Sequence, residues 1–189
     1  QTDLVPVGAD QKQHLELARL LAKRINHQFG EVLTVPEPII PKIGSRIMSL
    51  QDPTRKMSKS DANPNNIISL DDSPEQIVKK IKKAVTDSVG QVAYDKERPG
   101  ITNLIEIFAQ VSGKTIEQIE SHYLGQGYGQ FKSDLAEATV EYLRPIQTEM
   151  AQYLKDASAL DAVIQGMRGQ AAEIADKTLR KLKSNIGLY

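Results

Sequence analysis

Lys56 and Lys59 stand three positions apart in the stretch PTRKMSKSD, residues 53–61, with Arg55 ahead of them and Ser58 and Ser60 interleaved. Lysine ammonium groups are compact charges on flexible stems, suited to phosphate oxygens that move during a reaction. The hydroxyls of Ser58 and Ser60, and the backbone N–H groups, can add hydrogen bonds to such an anion. Met57 is an adaptable apolar contact, able to lie against a flat base or a core side chain. Only Asp52 and Asp61 lie close in sequence to balance the cations. No glycine-rich cradle precedes the lysines, so the pattern is not a P-loop. The plain alternative is a solvated charge run, the default for surface lysines.

A second group of candidates follows the apolar run Leu4, Val5 and Val7: Gly8, Ala9, Asp10 and Gln11. A strand, a glycine turn and a helix make a βα unit, and the crevice at the carboxyl end of such a strand is where open parallel sheets bind ligands. Each residue also has a plainer role. Asp10 suits the N-cap of the helix that follows. Gln11 suits an exposed first turn, and Val5, Val7 and Ile47 suit a core. His14, His27 and His122 stand singly, without metal-ligand spacing, and no metal site is expected.

The elements that must position these groups can be read from periodicity and caps. Thr2 to Val7 predicts a short strand. Leu15, Ala18, Ala22, Ile25 and Phe29 have helical spacing, and Gly30 stops that helix. Residues 31–43 contain Pro36, Pro38 and Pro41, which predicts loop, with a short strand at Val32 to Val35. Ile47, Met48 and Leu50 form another short apolar run. The basic stretch reads as a loop, since it has neither strand nor helix period, and turn formers extend it through Asn66. Ile67 to Leu70 predicts one more strand.

After Asp72 the chain reads as helices. Ser73, Pro74 and Glu75 suit an N-cap, a first helical position and the positive end of the helix dipole. Lys79, Lys80, Lys82 and Lys83 read as the solvated face of that helix, or alternatively as an RNA backbone contact. Thr102 is expected to cap a helix that Gly113 ends. Thr115 and Gln118 form a capping box for the next helix. Residues 125–129 read as a loop. A long helix follows from about Phe131 to Leu154, with Pro145 inside it, and a last one covers roughly Leu160 to Ser184. The fold class is thus α/β followed by all-α, with the division near residue 70.

Composition narrows the function classes. The 189 residues are 40% hydrophobic and 25% charged, ordinary for a globular protein with a core, and the formal net charge is zero. Any contact with nucleic acid must therefore come from local patches. The chain has no cysteine, which excludes disulfides, thiol catalysis and Cys-type metal sites and agrees with a cytoplasmic location. No apolar run reaches membrane-spanning length, so no membrane partner is expected. The chain opens with Gln1 in what reads as the middle of a strand, and it is expected to be a piece of a longer polypeptide.

Lys56 to Ser60 spell KMSKS, the second signature of the class I aminoacyl-tRNA synthetases. The surrounding sequence resembles the bacterial tryptophanyl-tRNA synthetases over essentially the whole chain. The likeness includes DLVPVGADQKQHLE (3–16), IPKIGSRIMSLQDPTRKMSKSD (40–61), KKIKKAVTDS (79–88), RPGITNLIEI (98–107), GYGQFK (127–132) and the LRPIQ segment (143–147). Tyrosyl-type enzymes are the nearest relatives of that family, but the VPVG context and the helical tail fit the tryptophanyl type.

The resemblance implies a fold, substrates and residue roles. Residues 1–70 would be the C-terminal part of a Rossmann-like nucleotide-binding domain, and 71–189 a helical tRNA anticodon-binding domain. Gly8, Ala9 and Asp10 would sit beside the ATP ribose, and Gln11 would reach the tryptophan ammonium group. Val5 and Val7 would line the amino-acid pocket, and Ile47 would pack near the adenine. Lys56, Met57, Ser58, Lys59 and Ser60 would close over the triphosphate, with Lys56 and Lys59 acting on the departing pyrophosphate. ATP would come with Mg²⁺, and no prosthetic group is implied. The other implied partners are tryptophan, tRNA(Trp) and a second copy in a homodimer, much of whose surface belongs to the family's other half.

The family's first signature, HxGH, occurs nowhere in these residues. The chain by itself is therefore expected to carry about half an active site and to be inactive. It is also expected to leave the first βα unit with an exposed edge and an exposed apolar face. The alternatives are a stand-alone helical RNA-binding module with a vestigial ATP loop, and a tyrosyl-type synthetase.

Overall fold

A computed structural model of the chain describes residues 1–40 and 46–188. The part of the resemblance that falls on residues 41–45, Pro41 among them, lies outside the described residues. The chain divides into two compact units, Gln1–Ser45 with Gln152–Tyr189, and Arg46–Ala151. The boundary expected near residue 70 runs through the second unit. Leu50 is buried in the same core as the helices that follow it, and Ile47, Met57 and Ile68 pack against that core.

The first unit holds a parallel pair of short strands, β1 (Leu4–Pro6) and β2 (Glu37–Ile39), with Leu4 beside Glu37, Val5 beside Pro38 and Pro6 beside Ile39. Between them a 3-10 turn (Ala9–Gln11) leads into α1 (Lys12–Phe29). Gly30 ends α1 as expected, with φ 83°, a conformation open to glycine and costly for a residue with a Cβ.

The strand expected at Val32 to Val35 does not form, because side chains claim its backbone groups. The Val32 and Leu33 N–H groups donate to Asn26 Oδ1 at 3.0 and 2.8 Å, and the Asn26 amide donates to the Leu33 carbonyl at 2.6 Å. Gln1 takes the Thr34 N–H and donates to the Val32 carbonyl. Pairing moves on to residues 37–39 instead. Pro38 has no N–H to give and is tolerated there because both strands of a two-stranded sheet are edges.

Little of this unit is buried. Leu4 and Ile39 on the strands are 57% and 47% exposed, and Leu17, Leu20 and Leu21 on α1 are also exposed. The apolar face expected to be uncovered is uncovered. The last helix, α6 (Ala157–Asn185), buries no residue. Its end is tied to the α1 terminus by Lys181 Nζ to the Glu31 carbonyl and by the Asn185 amide to the Phe29 carbonyl, each at 2.7 Å.

The second unit carries the core. It comprises α2 (Pro74–Lys83), α3 (Pro99–Ser112), α4 (Ile116–His122) and most of α5 (Tyr128–Lys155), whose last residues cluster with the first unit. Ile77, Ile81, Ile101, Leu104, Ile105, Ile119, Phe131 and Leu135 are almost wholly buried. Phe108, Tyr123 and Phe131 meet with ring centroids 5.2–6.0 Å apart. Ser73 with Gln76 and Thr115 with Gln118 form capping boxes at α2 and α4, and Gly113 closes α3 in the left-handed conformation.

Several expectations are corrected. Helix α3 starts at Pro99, not at Thr102, since proline suits a first helical position. The Thr102 hydroxyl instead donates to the Asp95 carbonyl at 2.6 Å. Helix α5 starts at Tyr128, inside the expected loop, and α6 starts at Ala157, where Asp156 caps it. Residues 67–70 are not a strand. There the Ser69 N–H donates to the Asp72 carboxylate at 2.8 Å, a local turn in place of a ladder. Lys80 is not on a solvated face. Its ammonium lies 2.6 Å from both Asp72 oxygens, and the two side chains are 9% and 10% exposed.

Three segments quoted for the resemblance meet in one network. Arg98 donates through Nε and Nη2 to the two Asp87 oxygens at 3.0 and 3.2 Å, and through Nη2 to the Tyr128 hydroxyl at 2.6 Å. Tyr128 in turn donates to Asp87 at 2.6 Å. Lys132 reaches back to the Ala84 carbonyl at 2.8 Å. Gly100 lies so close that a Cβ there would sit 2.6 Å from the Val85 carbonyl oxygen.

Burial alone would raise the Asp87 pKa, but hydrogen bonds from Arg98, Tyr128 and the Val89 N–H outweigh it and hold the carboxyl down at about 2. A carboxyl whose folded pKa lies below its ordinary 3.8 stabilises the fold above that ordinary value and loses the contribution as pH falls through the folded one. The difference in urea midpoint between the wild type and Asp87→Asn is therefore expected to be largest at pH 6 and to shrink steadily towards pH 3. A gap that does not change with pH would show that the Asp87 charge contributes nothing.

Candidate functional site

The candidate residues fall into both units, and each set is a local structure of its own. In the first unit, Val5 and Val7 are half-buried, and the Val7 N–H donates to the Ile39 carbonyl at 3.0 Å. Gly8 has φ −71° and ψ 161°, a backbone that any residue can adopt, so its conformation alone does not demand glycine. Ala9, Asp10 and Gln11 form the 3-10 turn. Asp10 is not the helix N-cap: Gln11 holds that position, with no side-chain cap bond. Gln11 is exposed. Its amide donates to Asp10 Oδ2 at 2.8 Å, and its Oε1 lies 3.0 Å from His14 Nδ1.

In the second unit, the KMSKS segment grows from a short antiparallel ladder. Met48 bridges Lys56. The Met57 N–H donates to the Ile47 carbonyl at 3.0 Å, and the Ser49 N–H to the Arg55 carbonyl at 2.9 Å. The tight turn between these strands is made by Asp52, which accepts from the Arg55 N–H through its carbonyl and from the Thr54 hydroxyl and N–H through its carboxylate. On the far side, the Asp61 N–H donates to the Ser58 carbonyl at 3.0 Å. The Asp61 carboxylate accepts from the Asn63 N–H and from the Asn66 amide.

The two acids nearest in sequence thus build the loop. Thr54 holds the Asp52 carboxyl below the usual range, and Asn63 with Asn66 does the same for Asp61. Lys56, Ser58, Lys59 and Ser60 are exposed, and the two hydroxyls lie 3.0 Å apart. Met57 is half-buried and packs with Ile47 against the core, so the methionine anchors the segment from inside.

One residue of this arrangement escaped the sequence reading. Asn103, only 4% exposed on α3, donates to the Met48 carbonyl at 2.9 Å and accepts from the Met48 N–H at 2.8 Å. The signal for it was a lone amide inside the apolar run ITNLIEI. Among the described residues no group of three or more His, Asp or Glu side chains is arranged to hold a metal ion. No described helix is long and apolar enough to cross a membrane.

Comparison with known proteins gives this geometry a family. Residues 1–144 match the family model described as tRNA synthetases class I (W and Y). The tryptophan–tRNA ligase of Listeria monocytogenes is 54% identical over 189 residues, which is all of this chain and 57% of that protein. The solved tryptophanyl-tRNA synthetase of Mycoplasma pneumoniae superposes with a TM-score of 0.90 at 38% identity, over 99% of this chain and 56% of its own. That of Campylobacter jejuni, solved with ADP and tryptophan, gives 0.65 at 31% identity, over 99% and 57%. The chain spans little more than half the length of these relatives, and it belongs to the class I tRNA synthetases of the tryptophan and tyrosine group.

Proposed function

We propose that this chain is the part of a tryptophan–tRNA ligase that carries the pyrophosphate-handling loop. The observation that carries the reading is the anchored KMSKS segment, which is fastened at Met57 and at the Met48–Lys56 bridge and presents Lys56, Ser58, Lys59 and Ser60 to solvent. Its neighbouring carboxylates are committed to the loop's own turns. In this reading the exposed ammonium and hydroxyl groups of the segment meet a triphosphate.

In this reading the tryptophan carboxylate attacks the α-phosphate of MgATP. The bond to the bridging oxygen breaks, pyrophosphate leaves, and tryptophanyl-adenylate remains. A terminal ribose hydroxyl of tRNA(Trp) then takes the aminoacyl group. No enzyme nucleophile is required, so catalysis is positioning plus charge stabilisation. Lys56 and Lys59 follow charge as it builds on the departing pyrophosphate, which makes them transition-state groups. A loop serves because it can close once ATP is bound.

Gly8, Ala9 and Asp10 meet the ribose, Gln11 the ammonium group, Val5 and Val7 the indole and Ile47 the adenine. Residues 1–70 belong to the Rossmann-like catalytic domain. Residues 71–189 belong to the helical domain that meets the anticodon of tRNA, where unstacked bases offer their edges and faces. The working protein is a homodimer.

Without an HxGH signature these 189 residues alone do not activate tryptophan. The test is tryptophan-dependent exchange between pyrophosphate and ATP. It is run with the chain alone, then with the HxGH-bearing portion of a related ligase added as a second polypeptide. Exchange in the mixture only, with tryptophan and not tyrosine, is the expected result. Exchange by the chain alone would overturn the predicted inactivity, and exchange with tyrosine would move the assignment to the tyrosyl type. Silence from a folded, associated mixture would overturn the ligase reading and favour a binding module.

A further inference from the structure

We infer that Asn103 is a positioning residue for Lys56, acting as a one-residue substitute for a third strand. In the ladder of residues 47–49 with 55–57, the Ile47 carbonyl and the Ser49 N–H face the KMSKS side, where they meet Met57 and Arg55. The N–H and carbonyl of Met48 point to the opposite edge. A sheet would pair them with another strand. Here one buried side-chain amide takes both, with the acceptor at 2.8 Å and the donor at 2.9 Å. A carboxamide offers one donor and one acceptor side by side, as a peptide unit does.

The consequence lies one residue pair away. Met48 is the bridge partner of Lys56, so whatever fixes the height and tilt of Met48 fixes the stem from which the first lysine of the signature projects. Asn103 stands on α3, whose face is packed through Ile101, Leu104, Ile105 and Phe108 into the core. The rigid helix thereby sets a reference point for a loop that must move. Met57, seated against the same core, marks the other side of the pivot. Residues 58–61 can swing as ATP arrives, while Lys56 keeps its register.

The inference rests on the ligase reading for its kinetic part and stands apart from it for its structural part. The variant is Asn103→Leu, which keeps the branched shape and the number of side-chain heavy atoms and removes both hydrogen bonds. In the 189-residue chain, amide hydrogen exchange at Ser49 and Met57 is expected to quicken at least about tenfold, while a core amide such as that of Leu135 changes less than about twofold. In the exchange-competent mixture, kcat is expected to fall about 10- to 100-fold with the KM for ATP little changed, since a small misplacement of a positioned group costs rate before binding. The decisive arm repeats the substitution in a Lys56→Ala background, where the loss is expected to vanish because the group being positioned is gone.

Equal losses with and without Lys56, or unchanged exchange at Ser49 and Met57, would overturn the inference. If Asn103→Leu does not fold, Asn103→Asp, which can still accept from Met48 but not donate to it, is read on the same measures. A silent wild-type mixture would sink the ligase reading and the kinetic part together, and hydrogen exchange would still decide the clamp.

Discussion

In the two-polypeptide exchange assay of the proposed ligase, replacing Lys56 and Lys59 together by alanine is expected to lower kcat about 1,000-fold while changing the KM for ATP far less. The argument is electrostatic. The ground-state triphosphate arrives with Mg²⁺ and much of its charge already compensated, so two surface ammonium groups add little to its binding. In the proposed reaction, new negative charge gathers on the leaving pyrophosphate as the bond to the bridging oxygen breaks, inside a site that closes to water. There each preorganised cation is worth far more.

The two lysines are held differently. Lys56 is bridged to Met48 and set between Met48 and the seated Met57. Lys59 sits at the turn that the Ser58 carbonyl and the Asp61 N–H close. Single substitutions should therefore differ in how their losses combine with loop stability, and the double variant should lose less than the product if both cations act on the same leaving group. Steady-state pyrophosphate exchange over a range of ATP concentrations separates kcat from KM. A rise in KM with kcat preserved would show that the lysines are ground-state anchors.

The Asp72→Ala variant is expected to lose about 3 kcal/mol of stability, the largest single loss outside the apolar core. The reason is the ammonium left behind. Both Asp72 oxygens lie 2.6 Å from Lys80 Nζ, and neither side chain has more than a tenth of its surface in water. One of these oxygens also takes the Ser69 N–H. Removing the acid strands a buried cation and a backbone donor at once. Removing both charges, in Asp72→Ala with Lys80→Met, should cost less than Asp72→Ala alone, because a methionine fills the channel without needing a partner. Urea midpoints followed by far-UV circular dichroism supply the comparison. A double variant less stable than the single would show that the pair is a net gain over an apolar filling.

What was legible in the sequence was what is local. Ser73, Pro74 and Glu75 announced α2, and Thr115 with Gln118 announced α4, because a cap is settled within four residues. Gly30 and Gly113 marked helix ends for the same reason. What was missed depends on partners far along the chain. Val32 to Val35 has the composition of a strand, yet Asn26 and Gln1 take its backbone groups. Lys80 sits among lysines on a helix and reads as solvated until Asp72 is placed beside it.

The KMSKS string was plain, whereas its anchor was not. Met48 and Asn103 are 55 positions apart, and no spacing rule connects them. The packing across residue 70 was no more legible. A change from strand-like to helical composition does not say which apolar residues share a core, and Leu50, Ile47 and Met57 join the helices.

The discontinuity of the first unit bears on the order in which the molecule can be made. Residues 46–151 form a contiguous unit and can close as soon as they have left the ribosome. The first unit joins distant parts of the chain: Lys181 and Asn185 bond to the Glu31 and Phe29 carbonyls across 150 and 156 positions. At ordinary elongation rates the strand pair and α1 wait roughly 10–30 s for those partners. Through that interval the Glu31 and Phe29 carbonyls lack these partners, and a trigger for misassembly lies in the timetable of synthesis as much as in the finished fold.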